Sequence, residues 1–125
     1  MEKLIVKYDS LDGEYRIEVN IDQDIDYVVD STIAYIVSKQ GTYKENKEVF
    51  LNKLKGANLT NWDLEYVKTG LQIDDSVKYE VKYTKDNVTY SSKGEEGYWP
   101  YEYDALISAL SMLDKDIETF ISNQK

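Results

Sequence analysis

Asp22-Gln23-Asp24-Ile25-Asp26, with Asp30 further on, gathers carboxylates into one short stretch. Such a group can ligate Ca²⁺, favour a helix N-terminus, or present negative charge to a partner. Calcium fails on the pattern. An EF-hand loop requires Gly at its sixth position and a bidentate acid at its twelfth. Counted from Asp22, those positions hold Tyr27 and Ile33. What remains is a helix-entry role for Asp24 or Asp26, or an acidic recognition patch.

A second group interleaves acids with aromatics. Glu95, Glu96, Glu102 and Asp104 surround Tyr98-Trp99-Pro100-Tyr101-Glu102-Tyr103. Tyr and Trp combine contact area with a polar tip and are enriched at binding hot spots. Tyr103 falls on the apolar stripe of a helix and is expected in the core. Tyr98, Trp99 and Tyr101 are the contact candidates of this segment. The expected partner-binding set is therefore Asp22, Asp24, Asp26, Asp30, Glu95, Glu96, Tyr98, Trp99, Tyr101, Glu102 and Asp104.

Catalytic chemistry has little to draw on. The 125 residues include no His and no Cys. That removes Ser-His and Cys-His nucleophile pairs, the ordinary proton shuttle of neutral pH, and the usual zinc or copper ligands. No Gly-rich phosphate loop is present, because Gly94-Glu95-Glu96-Gly97 lacks its Lys and carries repelling charge. Paired carboxylates could hydrolyse glycosides only in a deep cleft that raises one pKa. The chain is expected to bind and not to catalyse, with no cofactor and no metal.

Charge limits the partner. A formal net charge of −9 disfavours contact with nucleic-acid phosphates and anionic membranes. It favours a protein partner with a basic surface. A row of carboxylates can imitate phosphate charge and occupy the basic groove of a nucleic-acid enzyme. The expectation is a phage or mobile-element inhibitor of that kind. A bacterial immunity protein, an accessory subunit of a larger assembly, and a small-ligand sensor with a tyrosine-lined pocket are the alternatives. The segment Met1–Lys7 does not read as a signal peptide, since charges interrupt it. No window is apolar enough to span a bilayer. The expected location is cytoplasmic, so the sequons at Asn58 and Asn87 carry no weight.

The elements that must position these residues are legible as periodicities. Leu4, Val6 and Tyr8 alternate with polar or outward positions, as do Tyr15, Ile17, Val19 and Ile21. Asp12-Gly13 between them is a hairpin signal. Residues 3–8 and 14–21 are predicted as an antiparallel pair. Val28, Val29, Ile33, Ile36 and Val37 follow a helical period ending before Gly41. Thr42-Tyr43-Lys44-Glu45 has capping-box spacing and opens a helix with Val49, Phe50 and Leu54 inward, stopping at Gly56. Thr60-Asn61-Trp62-Asp63 repeats that signature for a shorter helix through Leu64 and Val67 to Gly70.

Val77, Tyr79, Val81 and Tyr83 alternate with Lys78, Glu80 and Lys82, and Lys85-Asp86-Asn87 turns the chain into Val88 and Tyr90. This is a second hairpin, followed by a loop over 93–97. Tyr79, Tyr83 and Tyr90 share one face, expected in the core. Pro100 suits a first helical turn. Tyr103, Leu106, Ile107, Leu110, Leu113, Ile117 and Ile121 then predict one long helix. The expected fold is a single α+β domain over 1–125, in the order β-β-α-α-α-β-β-α. Its two hairpins form one four-stranded antiparallel sheet with helices on one face. Val6-Lys7-Tyr8 and Val81-Lys82-Tyr83 echo each other, which raises a duplicated ββα unit.

Overall fold

The computed structural model describes residues 2–62, 65–66, 78–95, 100 and 102–124. The mixed α+β class holds, and the sheet is wider than the sequence suggests. Its antiparallel strands are β1 (Glu2–Ser10), β2 (Gly13–Ile21), β3 (Ile25–Ser31), β4 (Lys39–Tyr43), β6 (Lys78–Lys85) and β7 (Val88–Glu95). A two-residue β5 (Glu65–Tyr66) joins β7 in parallel. The strand order is β4-β3-β2-β1-β6-β7-β5. Helices α1 (Lys47–Gly56), α2 (Tyr103–Ser111) and α3 (Asp116–Gln124) complete the fold, with a 3₁₀ turn at Leu59–Asn61.

Both predicted hairpins are present and lie side by side in the centre of the sheet. β1 pairs with β2 from Glu2↔Ile21 to Ser10↔Gly13. Gly13 has φ +135°, and a Cβ there would lie 2.7 Å from Thr32 Oγ1, so only glycine fits this turn. Asp86 and Asn87 form a two-residue loop with φ of 53° and 66°. Two positive φ angles in succession define the I′ turn, whose twist matches that of the flanking strands. β1 and β6 form the seam, with Val6 opposite Val81 and Tyr8 opposite Tyr79.

The alternation of β1, β2 and β6 buries one face. Leu4, Val6, Tyr8, Tyr15, Ile17, Val19, Tyr79, Val81 and Tyr83 all point inward. The helices cover this face. Phe120 of α3 packs against Tyr8 and Tyr15 at ring separations of 5.2 and 6.2 Å. Tyr103 of α2 lies 5.7 Å from Tyr79 and shares a hydroxyl–hydroxyl hydrogen bond with Tyr8. Tyr90 is half-buried and stacks on Tyr83. The strand tyrosines are core residues, as expected.

Several expected elements differ. The helix over 28–37 is instead β3 and the β3–β4 connection. Ile25, Tyr27 and Val29 face inward while Asp26 and Asp30 point out, so a period of two competes with the helical spacing of the same residues. β-Branched and aromatic residues fit a half-buried pleat, and β2 offered a free edge to complete. The first hairpin is thus followed by a strand, so no ββα unit stands on that side. Thr42 opens no helix: it lies in β4, and α1 begins at Lys47. Phe50 and Leu54 point inward as expected, but Val49 is 47% exposed. The predicted helix over 60–70 does not form at Glu65–Tyr66, which is strand; Leu64, Val67 and Gly70 lie outside the described residues. Lys93, Gly94 and Glu95, expected in a loop, extend β7. Pro100 precedes α2, and its carbonyl accepts from the Tyr103 amide at 3.0 Å.

The long C-terminal helix is two helices. Asp114 divides them. Its Oδ1 accepts from the Asp116 amide at 3.1 Å, a capping interaction at the start of α3. Leu106, Leu110 and Ile117 stay buried on either side of the break. The side chain of Ile121 lies outside the described residues.

Candidate functional site

The acidic stretch near Asp22 forms the β2–β3 turn. The Asp22 amide donates to the Asp24 carbonyl at 3.1 Å. Lys47, the first residue of α1, donates from Nζ to the Asp22 carbonyl at 2.7 Å and also to the Gln23 carbonyl. The lysine therefore grips the main chain and leaves the carboxylates outward. Asp22, Asp24 and Asp26 are exposed. Lys44 Nζ stands 4.0 Å from Asp24 Oδ2, a loose solvent-exposed pair. Asp26 Oδ1 accepts from Thr42 Oγ1 of β4 at 2.6 Å. Asp30, at the far end of β3, is exposed and pairs in register with Arg16.

The second predicted patch lies elsewhere. Glu95 ends β7 opposite Lys78, in the row Glu95–Lys78–Asp9–Glu14. Asp22 follows Ile21 at the other end of β2. Eight residues along the chain and three strand spacings separate the two positions, roughly 26 Å along and 14 Å across. Asp22 and Glu95 therefore do not adjoin on the sheet. Glu102 immediately precedes α2 without a side-chain capping bond, and Asp104 is exposed in its first turn. Tyr103 between them is core. Glu96, Tyr98, Trp99 and Tyr101 lie outside the described residues.

The open face of the sheet mixes both signs of charge. Asp30, Arg16, Lys7, Glu80 and Lys93 follow one another across five strands. Glu18 contacts Lys3 at 2.6 Å and Arg16 at 3.6 Å. The Lys3 hydrogen bond, against a smaller opposing effect of burial, holds the Glu18 carboxyl below its usual range. A depression of about 350 Å³ on this face is lined by Lys7, Asp9, Lys78, Glu80, Lys93 and Glu95, together with Tyr79 and Gly94. Its charges oppose one another across each strand pair and select no net charge. A second depression, about 380 Å³, lies between α1 and the end of β6 over Leu51, Leu54, Leu59 and Tyr83. Tyr83 donates to Glu2 Oε2 at 2.6 Å. Among the described residues the inward tyrosines fill the core and do not line a pocket between them.

Two groupings escaped the sequence reading. Asp9 and Glu14 stand directly opposite across β1 and β2, with Asp12 in the turn between them. Like charges in that position repel. The Asp12-Gly13 turn signal, carried through to register, contains this pairing. The other is buried. Asp114, 1% exposed, accepts from Tyr15 Oη at 2.8 Å and from Lys39 Nζ at 2.7 Å, and Lys39 also reaches Asp116 at 2.9 Å. Burial pushes the Tyr15 hydroxyl up, and the Asp114 charge adds to the effect. For Lys39, partial burial pulls down, but the hydrogen bonds it donates to both aspartates prevail and raise it. No linear signal joins residues this far apart in the chain. The cluster ties β4, β2 and α3 together.

Among the described residues no group of three or more acids could hold a metal ion, and no helix is long and apolar enough to cross a membrane. Comparison of the chain with protein-family models and with curated proteins returns no match.

Proposed function

We propose that this chain is a noncatalytic binding protein that docks its acidic β2–β3 turn against a basic surface of a partner protein. The observation that carries the reading is the anchoring of the turn by Lys47 through main-chain carbonyls, which leaves Asp22 and Asp24 outward. A turn fixed before contact loses less entropy on binding. Exposed carboxylates speed encounter with a basic patch and discriminate against acidic ones. The net charge of −9 acts in the same direction. In the sharper form of the proposal, the protein is cytoplasmic and of phage or mobile-element origin, and the partner is a nucleic-acid-targeting enzyme whose basic groove it fills. The separation of Asp22 from Glu95 restricts the mimicking surface to one end of the sheet.

The test is affinity capture from bacterial lysate with the natural chain and with an Asp22→Asn/Asp24→Asn variant, at low and high salt. A basic protein should be retained by the natural chain at low salt and released at high salt. Loss of two surface charge pairs should weaken retention about tenfold. Release by added duplex DNA would identify a nucleic-acid-binding groove. A partner held equally by both chains and at both salt concentrations would refute the proposal.

A further inference from the structure

β4 ends the sheet. It pairs with β3, and no described strand lies on its other side. An edge strand shows unpaired N–H and C=O groups and templates another chain unless charge, proline, a bulge or a cover protects it. Gln40, Gly41, Thr42 and Tyr43 carry no charge and no proline. Their register with β3 runs without a bulge from Ile25↔Tyr43 to Val29↔Lys39. Lys39, the cation of the strand, is drawn to Asp114 and Asp116. The connection that feeds β4 holds Tyr35 and Val37, 40% and 67% exposed, so apolar surface flanks the open edge. Among the described residues only the brevity of the strand guards it. The opposite edge is partly taken, since β5 pairs with β7 at Lys93 and Gly94.

We propose that β4 is a strand-addition surface and that its occupant is β4 of a second copy of this chain, paired antiparallel about a two-fold axis. A strand that adds here must bring an unpaired edge of its own, and β4 is such an edge. Two-fold pairing of one edge closes on itself and gives the antiparallel ladder. With Gly41 on the axis, Gln40 lies opposite Thr42 of the second copy. The Tyr27 ring covers Gly41, as a Cβ there would fall 2.9 Å from Tyr27 Oη, so the side-chain gap at the axis is roofed. The uncharged edge is also where two acidic molecules meet with least repulsion. Lys44, just beyond β4, then lies opposite Ser38 of the second copy. Ser38 Oγ is bound by the Ser31 amide, which puts Asp30 of that copy one strand further. Two strand spacings, roughly 10 Å, separate Lys44 from that carboxylate, and symmetry repeats the pair. A five-residue ladder buries less than a permanent dimer requires, so association depends on concentration.

Sedimentation equilibrium of the full chain, from about 5 µM to about 1 mM, reads the association directly. The natural chain should pass from monomer to dimer over this range. Gln40→Ala should do the same. Gln40→Lys, a solvent-facing change that places an ammonium beside the axis, should stay monomeric while keeping its circular dichroism spectrum. A monomer throughout the range, growth beyond a dimer, or a Gln40→Lys chain that dimerises like the natural one would each overturn the proposal. Asp22→Asn/Asp24→Asn should dimerise normally, so loss of partner capture in that variant tests the acidic turn alone.

Discussion

Replacing Asp114 by Ala tests the account of how the α2–α3 break is held. The carboxylate is buried and accepts three hydrogen bonds, from Tyr15 Oη, Lys39 Nζ and the Asp116 amide, at 2.8, 2.7 and 3.1 Å. Its loss strands the Tyr15 hydroxyl in the core, which costs about 1–3 kcal/mol. It also removes the cap of α3, about 1 kcal/mol. Deleting one partner of a buried ion pair typically costs about 3–5 kcal/mol in all. Lys39 keeps Asp116 at 2.9 Å and remains 31% exposed, which places the expected loss near the lower bound, about 3 kcal/mol. Urea unfolding followed by far-ultraviolet circular dichroism measures it. The midpoint should fall while the denaturant slope stays unchanged. Asp114→Asn keeps an acceptor for Tyr15 and should lose less. A Lys39→Met/Asp114→Leu pair should recover part of the loss, because no uncompensated charge is then buried. A loss under about 1 kcal/mol for Asp114→Ala would show that the cluster is solvated and that the break has another cause.

Alkaline titration supplies a second prediction. Burial raises the hydroxyls of Tyr8, Tyr103 and Tyr83, and for Tyr83 the Glu2 hydrogen bond adds to it; Tyr15 behaves likewise. A group raised in the folded state contributes stability that is full below its unfolded pKa, about 10 for tyrosine, and is lost as pH rises above it. Absorbance at 295 nm should therefore show these four ionising only together with cooperative unfolding. Smooth ionisation of Tyr8, Tyr15, Tyr83 and Tyr103 with the fold intact would contradict the packing described here. Gly13→Ala should cost more than about 1 kcal/mol, because the position combines positive φ with a 2.7 Å clash against Thr32. An unfolding midpoint equal to that of the natural chain would show that the turn adopts another conformation.

How much of this was legible in the sequence depended on how local the signal was. The β1–β2 and β6–β7 hairpins were, because strict alternation and short turns act between neighbours in the chain. The segment around Val28 and Val29 was not, since its spacing satisfies a helix and a strand alike. Of the site residues, Asp22, Asp24 and Asp26 were legible as an exposed acidic group, but their role as a turn gripped by Lys47 was not.

The sequence by itself determined the absence of His and Cys, the sign of the charge, the two central hairpins and the inward tyrosines. Tertiary structure alone decided the rest. It turned the expected first helix into β3 because β2 offered an edge to complete. It split the last helix where Asp114 meets Tyr15 and Lys39, residues far away in the chain. It also set Asp22 and Glu95 toward opposite ends of the sheet's strands, three strands apart, since strand order is fixed by contacts between elements and not within them.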